Sequence, residues 1–272
     1  MANKIGEEPE KNKQEMPETQ ESTPRKKRSG VISWVVIVIA AVVLVFSLVQ
    51  YFDIKSEDWA SEGAYDKLKE VAAASAQPEG ASDDPRDRKI DFAALKAINE
   101  DVVGWIYMPN TKIDYPIVIG KDNDYYISHN VDKTEYRAGA IFLDYQNAPD
   151  FSDQNTIIYG HRMNDGSMFG TLNQYESDAF FRENDTVYVY LQDGSVNEYK
   201  IFSAYTVNEV DETYTMGFAS DENYEQYLKK MRGRSPYKTD VELSAQDNII
   251  TLSTCVRGQD ENRYVVQAVL EK

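Results

Sequence analysis

Hydrophobic and polar positions alternate along the chain with different periods in different stretches. Residues 31–49, VISWVVIVIAAVVLVFSLV, run for 19 positions without a charge, broken only by Ser33 and Ser47. A helix needs about 20 apolar residues to cross about 30 Å of hydrocarbon, so this run predicts a membrane span over 31–52. In SEDWASEGAYDKLKEVAAASA, Trp59, Tyr65, Leu68 and Ala72 recur at near-helical spacing among good helix formers. They predict a juxtamembrane helix over roughly 56–75. The Pro/Gly/Asp-rich QPEGASDDPRDR (77–88) has the composition of a linker. A second helix, FAALKAINE, is predicted to start at Asp91 as N-cap, with Ile90 and Leu95 spaced for a hydrophobic staple.

Beyond Val103 the period falls to two, in short β-branched or aromatic runs: VGWIYM, IDYPIVI, AGAIFLD, NTIIYGH, DTVYVYL, VNEYKIFSAYTV, NIITLST and RYVVQAVL. QDGS between the fifth and sixth runs signals a hairpin. One helix interrupts the late strands. SDENYEQYLKKMRG offers Ser220 as N-cap, acids in its first turn, Lys229, Lys230 and Arg232 near its end, and Gly233 as its stop. Its stripe of Tyr224, Tyr227, Leu228 and Met231 reads as a core-facing side. Eight short strands without regular βα alternation predict a mainly β fold, an antiparallel or mixed barrel rather than a doubly wound sheet. There is no internal repeat.

Charge adds a topology. The basic RKKR (Arg25–Arg28) precedes the apolar run and DIKSEDW follows it, which by the positive-inside rule puts the N-terminus in the cytoplasm and residues 53–272 outside. A cleaved signal peptide would have a shorter apolar region, roughly 7–15 residues, and an A-x-A-like site, which VQYFDIKSED does not offer. Residues 1–30 are polar and lack aromatics, the composition of a disordered tail. Of the 29 basic and 46 acidic side chains, 22 and 40 fall in residues 53–272, a net of about −18. So acidic a surface argues against nucleic-acid or anionic-lipid partners. It suits amine-bearing substrates, and equally serves plain solubility.

Chemistry enters with Cys255, the only cysteine in the chain. One thiol excludes an internal disulfide framework and leaves a reactive group, an intermolecular crosslink or a small buried hydrophobe. A thiol nucleophile needs a basic neighbour. The two histidines are His161, at the end of NTIIYGH and hence at a strand-to-loop edge, and His129 in YYISHN. Arg263 opens the last strand, with VRGQDEN between it and Cys255. If the two strands pair, their adjoining ends bring a guanidinium to the thiol as a donor for a developing oxyanion. A solvated charge at a strand end is the plain alternative for Arg263.

TLSTC (Thr251–Cys255), the downstream Arg263 and IIYGHRM (Ile157–Met163) resemble the sortase family of cysteine transpeptidases. Val103–Asn130, the N-terminal helices and the helix-bearing insertion around 220–232 are similar to class B sortases in particular, and the resemblance covers most of residues 90–272. It implies a closed eight-stranded barrel over 90–272, with the helix and linker of 53–89 before it. Cys255 matches the nucleophile, His161 the catalytic histidine and Arg263 the family arginine. Arg257 competes for the last role but lies only two residues past the cysteine, and His129 reads as structural. Ser253 and Thr254, just before the nucleophile, are candidates to line the substrate pocket.

The implied reaction needs no metal or cofactor. A sorting-motif peptide from an exported surface protein acylates Cys255, and an amine of a peptidoglycan precursor or a pilin lysine then takes the acyl group. If thiol and imidazole sit too far apart to share a proton well, only a minor fraction carries both thiolate and imidazolium, giving slow turnover and a bell-shaped pH profile. Two rivals use the same chain differently: a cysteine peptide hydrolase, and a non-catalytic surface assembly protein on the same barrel.

Overall fold

A computed structural model describes residues 29–74 and 84–272. The tail expected over 1–30 lies outside the described residues except for its last two positions, as does the linker over 77–83. The chain divides into two compact units, Met1–Ile54 and Lys55–Lys272. The first carries Ser33–Phe52, 20 residues of helix α1 (Ser29–Ala74) that are long and apolar enough to cross a membrane.

In the second unit, the C-terminal part of α1 sends Tyr65, Leu68 and Ala72 into the core, spaced to share one helical face. Tyr65 also donates its hydroxyl to Gly139 O (3.1 Å). The side chain of Trp59, expected on the same face, lies outside the described residues. A single turn at Pro85–Asp87, capped by Asp84, leads to α2 (Phe92–Ile98). The Asp91 carboxylate accepts from Ala94 N (2.9 Å), the N-cap the sequence indicates.

All eight expected strands form: β1 (Val102–Tyr107), β2 (Asp114–Ile119), β3 (Ile141–Leu143), β4 (Asn155–Tyr159), β5 (Thr186–Leu191), β6 (Val196–Asn208), β7 (Ile249–Val256) and β8 (Gln259–Leu270). They close into a barrel in the order β1-β2-β3-β4-β7-β8-β6-β5. β2–β3 and β4–β7 pair parallel and the other pairs antiparallel, so the barrel is mixed. A short helix α3 (Asp178–Glu183) lies before β5, and α4 (Asp221–Arg234) between β6 and β7.

Strand alternation sorts the side chains into two cores. Ile158, Ile250, Leu252 and Val266 belong to the large interior cluster. Ile249, Val265 and Val269 face outward and are covered by Tyr224, Tyr227, Leu228 and Met231 of α4, the stripe read from the sequence. Ser220 caps α4 by accepting from Asn223 N (3.2 Å). The stop differs from expectation: Gly233 is inside the helix, which runs to Arg234 with Ser235 as C-cap in extended conformation. Pro236 sets this end, because a proline's ring disfavours helical backbone in the residue before it. β8 also begins four residues before Arg263, so VRGQDEN is mostly strand, closed by a turn at Arg257 and Gly258.

Candidate active site

Cys255 stands on β7, Arg263 on β8 and His161 two residues past the end of β4, and these three strands are neighbours in the barrel. Parallel pairing sets Asn155 against Ile249 and, four residues on, Tyr159 against Ser253. Gly160 N then donates to Ser253 O (3.2 Å), carrying the ladder past the end of β4. The same register continued brings His161 level with Cys255, on strands about 4.8 Å apart. Glycine is required between Tyr159 and His161 for space: a Cβ on Gly160 would lie 2.4 Å from Ile141 Cδ1 and 2.8 Å from the Phe169 ring. On the other side of β7, antiparallel pairing sets Cys255 directly against Arg263, with a bulge in β8 just beyond.

All three side chains line one cavity of about 460 Å³, which Tyr159, Tyr214, Asn123, Ile127, Glu209 and Val210 also border. Cys255 is half-buried. His161 Nε2 lies 2.8 Å from Ile127 O. A carbonyl only accepts, so Nε2 carries the hydrogen and Nδ1 is the ring nitrogen left for proton transfer. Behind Ile127, Gly139 at φ +56 leaves no room for a side chain, since a Cβ would meet Tyr126 O at 2.3 Å and Ile127 O at 2.5 Å. Arg263 Nη1 donates to Asp260 O (2.6 Å) and Asn262 O (3.1 Å), and Nη2 pairs with the Glu209 carboxylate.

The cavity wall is aromatic and hydrogen-bonded from behind. Tyr159 stacks on Tyr214 with ring centres 6.3 Å apart and donates to the buried Asp144 carboxylate (3.0 Å), which also accepts from Asn123 Nδ2 (2.8 Å). Burial, reinforced by the Asp144 charge, pushes the Tyr159 phenol well above its ordinary range. Burial likewise pushes Tyr214 up to about 12, against the opposing hydrogen bond from Ser253 and the Arg263 charge. Both rings therefore present neutral hydroxyls at physiological pH.

Ser253 and Thr254 both border the cavity and are each only 2% exposed. They differ in direction. Ser253 shares the outward face of β7 with Cys255, and its Oγ hydrogen-bonds the Tyr214 hydroxyl (2.9 Å). Thr254 falls on the inward face with Leu252, and its Oγ1 is buried without a hydrogen-bond partner among the described residues. Arg257 is exposed in the β7–β8 turn and lies outside the cavity lining. His129 is also outside that lining: it stacks on Tyr125 (ring centres 4.0 Å apart), with Nδ1 donating to Tyr125 O (2.8 Å).

Tyr159, Tyr214 and Glu209 were not singled out from sequence. Only Tyr159, in the run ending at His161, carried a local signal.

Comparison with known proteins identifies the family. The Sortase domain family matches residues 106–271. Sortase B of Listeria monocytogenes is 40% identical over 208 residues, covering 75% of this chain and 82% of that protein. Sortase B of Staphylococcus aureus is 30% identical over 252 residues, covering 91% and 99%. Among solved structures, sortase B from Bacillus anthracis superposes with a TM-score of 0.70 at 37% identity, over 80% of this chain and 99% of that one. A Staphylococcus aureus sortase B–substrate complex reaches the same TM-score at 30% identity and the same coverage. The chain belongs to the sortase family, as a cysteine transpeptidase of class B.

Proposed function

We propose that the protein is a membrane-anchored transpeptidase that cuts a C-terminal sorting motif in exported proteins and joins the new carboxyl end to a cell-wall amine, or alternatively to a pilin lysine. The observation that carries the reading is the convergence of Cys255, His161 and Arg263 on one cavity. The Cys255 thiolate adds to the scissile carbonyl carbon. The Arg263 guanidinium hydrogen-bonds the oxygen as it takes up the electron pair. As the C–N bond breaks, His161 Nδ1–H protonates the departing amine while Nε2–H stays on Ile127 O, which fixes the ring's orientation. A primary amine then attacks the thioester, His161 Nδ1 takes its proton, and the thiolate leaves as the new amide forms. Ser253 and Thr254 border the pocket as substrate-binding residues, Ser253 by holding the Tyr214 hydroxyl.

The apolar Ser33–Phe52 stretch supplies the anchor, and the basic cluster before it keeps the N-terminus cytoplasmic and residues 53–272 outside. Anchoring enzyme and substrate in one membrane raises their effective concentration. The test uses the full chain in detergent micelles with a library of candidate sorting-motif peptides. A thioacyl adduct on Cys255, lost in Cys255→Ala and converted to an amide product by an added primary amine, is expected by mass spectrometry. An adduct that releases only free acid at every amine concentration would make the protein a hydrolase. Intact biological function in Cys255→Ala would make it a non-catalytic assembly protein.

A further inference from the structure

The guanidinium of Arg263 is held from two sides. On its own strand, the two Nη1 hydrogens go to the carbonyls of Asp260 and Asn262 in the β8 bulge. From the side of β6, the Glu209 carboxylate takes a hydrogen from Nη2. Glu209 follows directly on β6, and its own N–H donates to Glu261 O (2.9 Å). That bond extends the ladder in which Val207 pairs with Arg263 and Asn208 with Asn262. The backbone under Glu209 is thus tied to the strand whose arginine its side chain grips.

An ion pair with side chains 45% and 23% exposed contributes little to stability. Its consequence is directional. Arginine presents five N–H donors in one rigid plane. With three of them committed, the plane is set, and Nε–H and the second Nη2–H are the donors left among the described residues. Both residues border the cavity that holds Cys255 and His161.

We propose that Glu209 is a positioning residue for the transfer reaction: it fixes the plane of the Arg263 guanidinium so that its remaining donors meet the oxyanion. This rests on the role given to Arg263 above. A donor set for the transition state acts on kcat rather than on peptide affinity.

The test measures amine release by the full chain in micelles, with a peptide selected from the library. Arg263→Ala is expected to lower kcat by about 10²–10³-fold, the usual loss for an oxyanion donor. Glu209→Ala is expected to lower kcat about tenfold with KM unchanged within about twofold, since small misplacements of such a group are costly. Glu209→Gln, which keeps an acceptor for Nη2, should stay within about threefold of the parent. In the Arg263→Ala background, Glu209→Ala should add nothing. Parental kcat in Glu209→Ala, a change confined to KM, or a tenfold loss that persists without Arg263 would each overturn the inference. Full kcat in Arg263→Ala would instead overturn the role of the arginine. Should the alanine variant fold poorly, Glu209→Asp carries the same test: lower kcat at unchanged KM supports the role, and parental kcat overturns it.

Discussion

Replacing Asn155 by alanine should cost several kcal/mol of stability, because Asn155 joins a buried polar network beneath α4. Its Oδ1 accepts from Thr251 Oγ1 (2.8 Å), and its amide donates among Thr213 O (3.1 Å), Thr215 O (2.9 Å) and the Tyr227 hydroxyl (3.1 Å). Gln267 Nε2 completes the circuit to Tyr227 (3.1 Å) and Thr251 (3.0 Å). Asn155, Thr251, Gln267 and Thr213 are fully buried, so what loses a partner there finds no bulk water. Asn155→Ala leaves the Thr251 hydroxyl hydrogen unsatisfied, about 1–3 kcal/mol, and removes the amide's bonds at about 0.5–1.5 kcal/mol each. Thr213 O keeps its donor from Tyr227 (2.7 Å), which limits the damage. With two amide hydrogens lost the sum is about 2–6 kcal/mol. A domain of this size loses about 2–4 °C of melting temperature per kcal/mol, so a fall of about 4–24 °C is expected. Thermal unfolding followed by circular dichroism measures it. Thr251→Val removes the opposite end of the same bond, so the double variant should lose at least about 1 kcal/mol less than the sum of the single ones. A fall below about 3 °C for Asn155→Ala, or strict additivity with Thr251→Val, would refute the network as a stabilising unit.

Three further outcomes are expected. Gly139→Ala puts a side chain at φ +56 against the carbonyls of Tyr126 and Ile127; left-handed strain of about 1–2 kcal/mol should lower the melting temperature by at least about 2–8 °C. Because Ile127 O holds His161, kcat should fall as well, and a stability loss with unchanged kcat would show that this carbonyl does not orient the ring. Burial holds Tyr115, Tyr199 and Tyr214 up to about 12, against about 10 in the unfolded chain. The folded state keeps protons that the unfolded state releases, so this contribution is complete below pH 10 and lost as pH rises from 10 through 12. Phenolate absorbance should therefore appear together with unfolding, and full ionisation near pH 10 in a still-folded protein would contradict the assignment. Ser220→Ala removes the α4 cap and should cost about 1 kcal/mol, read as a shift of about 2–4 °C.

The eight strands were legible because their alternation persists through every run, and the Cys255–Arg263 approach followed from hairpin pairing of the last two. The partners of Asn155, Thr251 and Gln267 were not. Period two says that these polar residues face away from the barrel interior; that α4 then covers this outer face is a fact of tertiary packing. Glu209 was hidden for a related reason. Its meeting with Arg263 depends on β6 lying beside β8, a pairing of non-consecutive strands that no local pattern announces. Gly233 was read as a helix stop on residue type, whereas Pro236 ends the helix through its effect on Ser235. The length of β8 was missed because Gln259–Asn262 is wholly polar and exposed or half-exposed, like a loop in composition.

The closure of the barrel governs how a peptide can be read here. Many proteins hold an extended peptide by letting it zip onto a vacant sheet edge, where main-chain bonds give affinity independent of sequence. A ring of eight strands in which each has two neighbours has no edge strand, although the β4–β7 ladder stops at Tyr159 and Ser253 while β7 runs on to Val256. Under the proposed function the incoming chain meets side chains at the cavity, among them the rings of Tyr159 and Tyr214 and Val210, which is 86% exposed there. Choice of motif then resides in a few replaceable contacts, and exchanging one of them should change which sequences are accepted while the reacting atoms stay where they are.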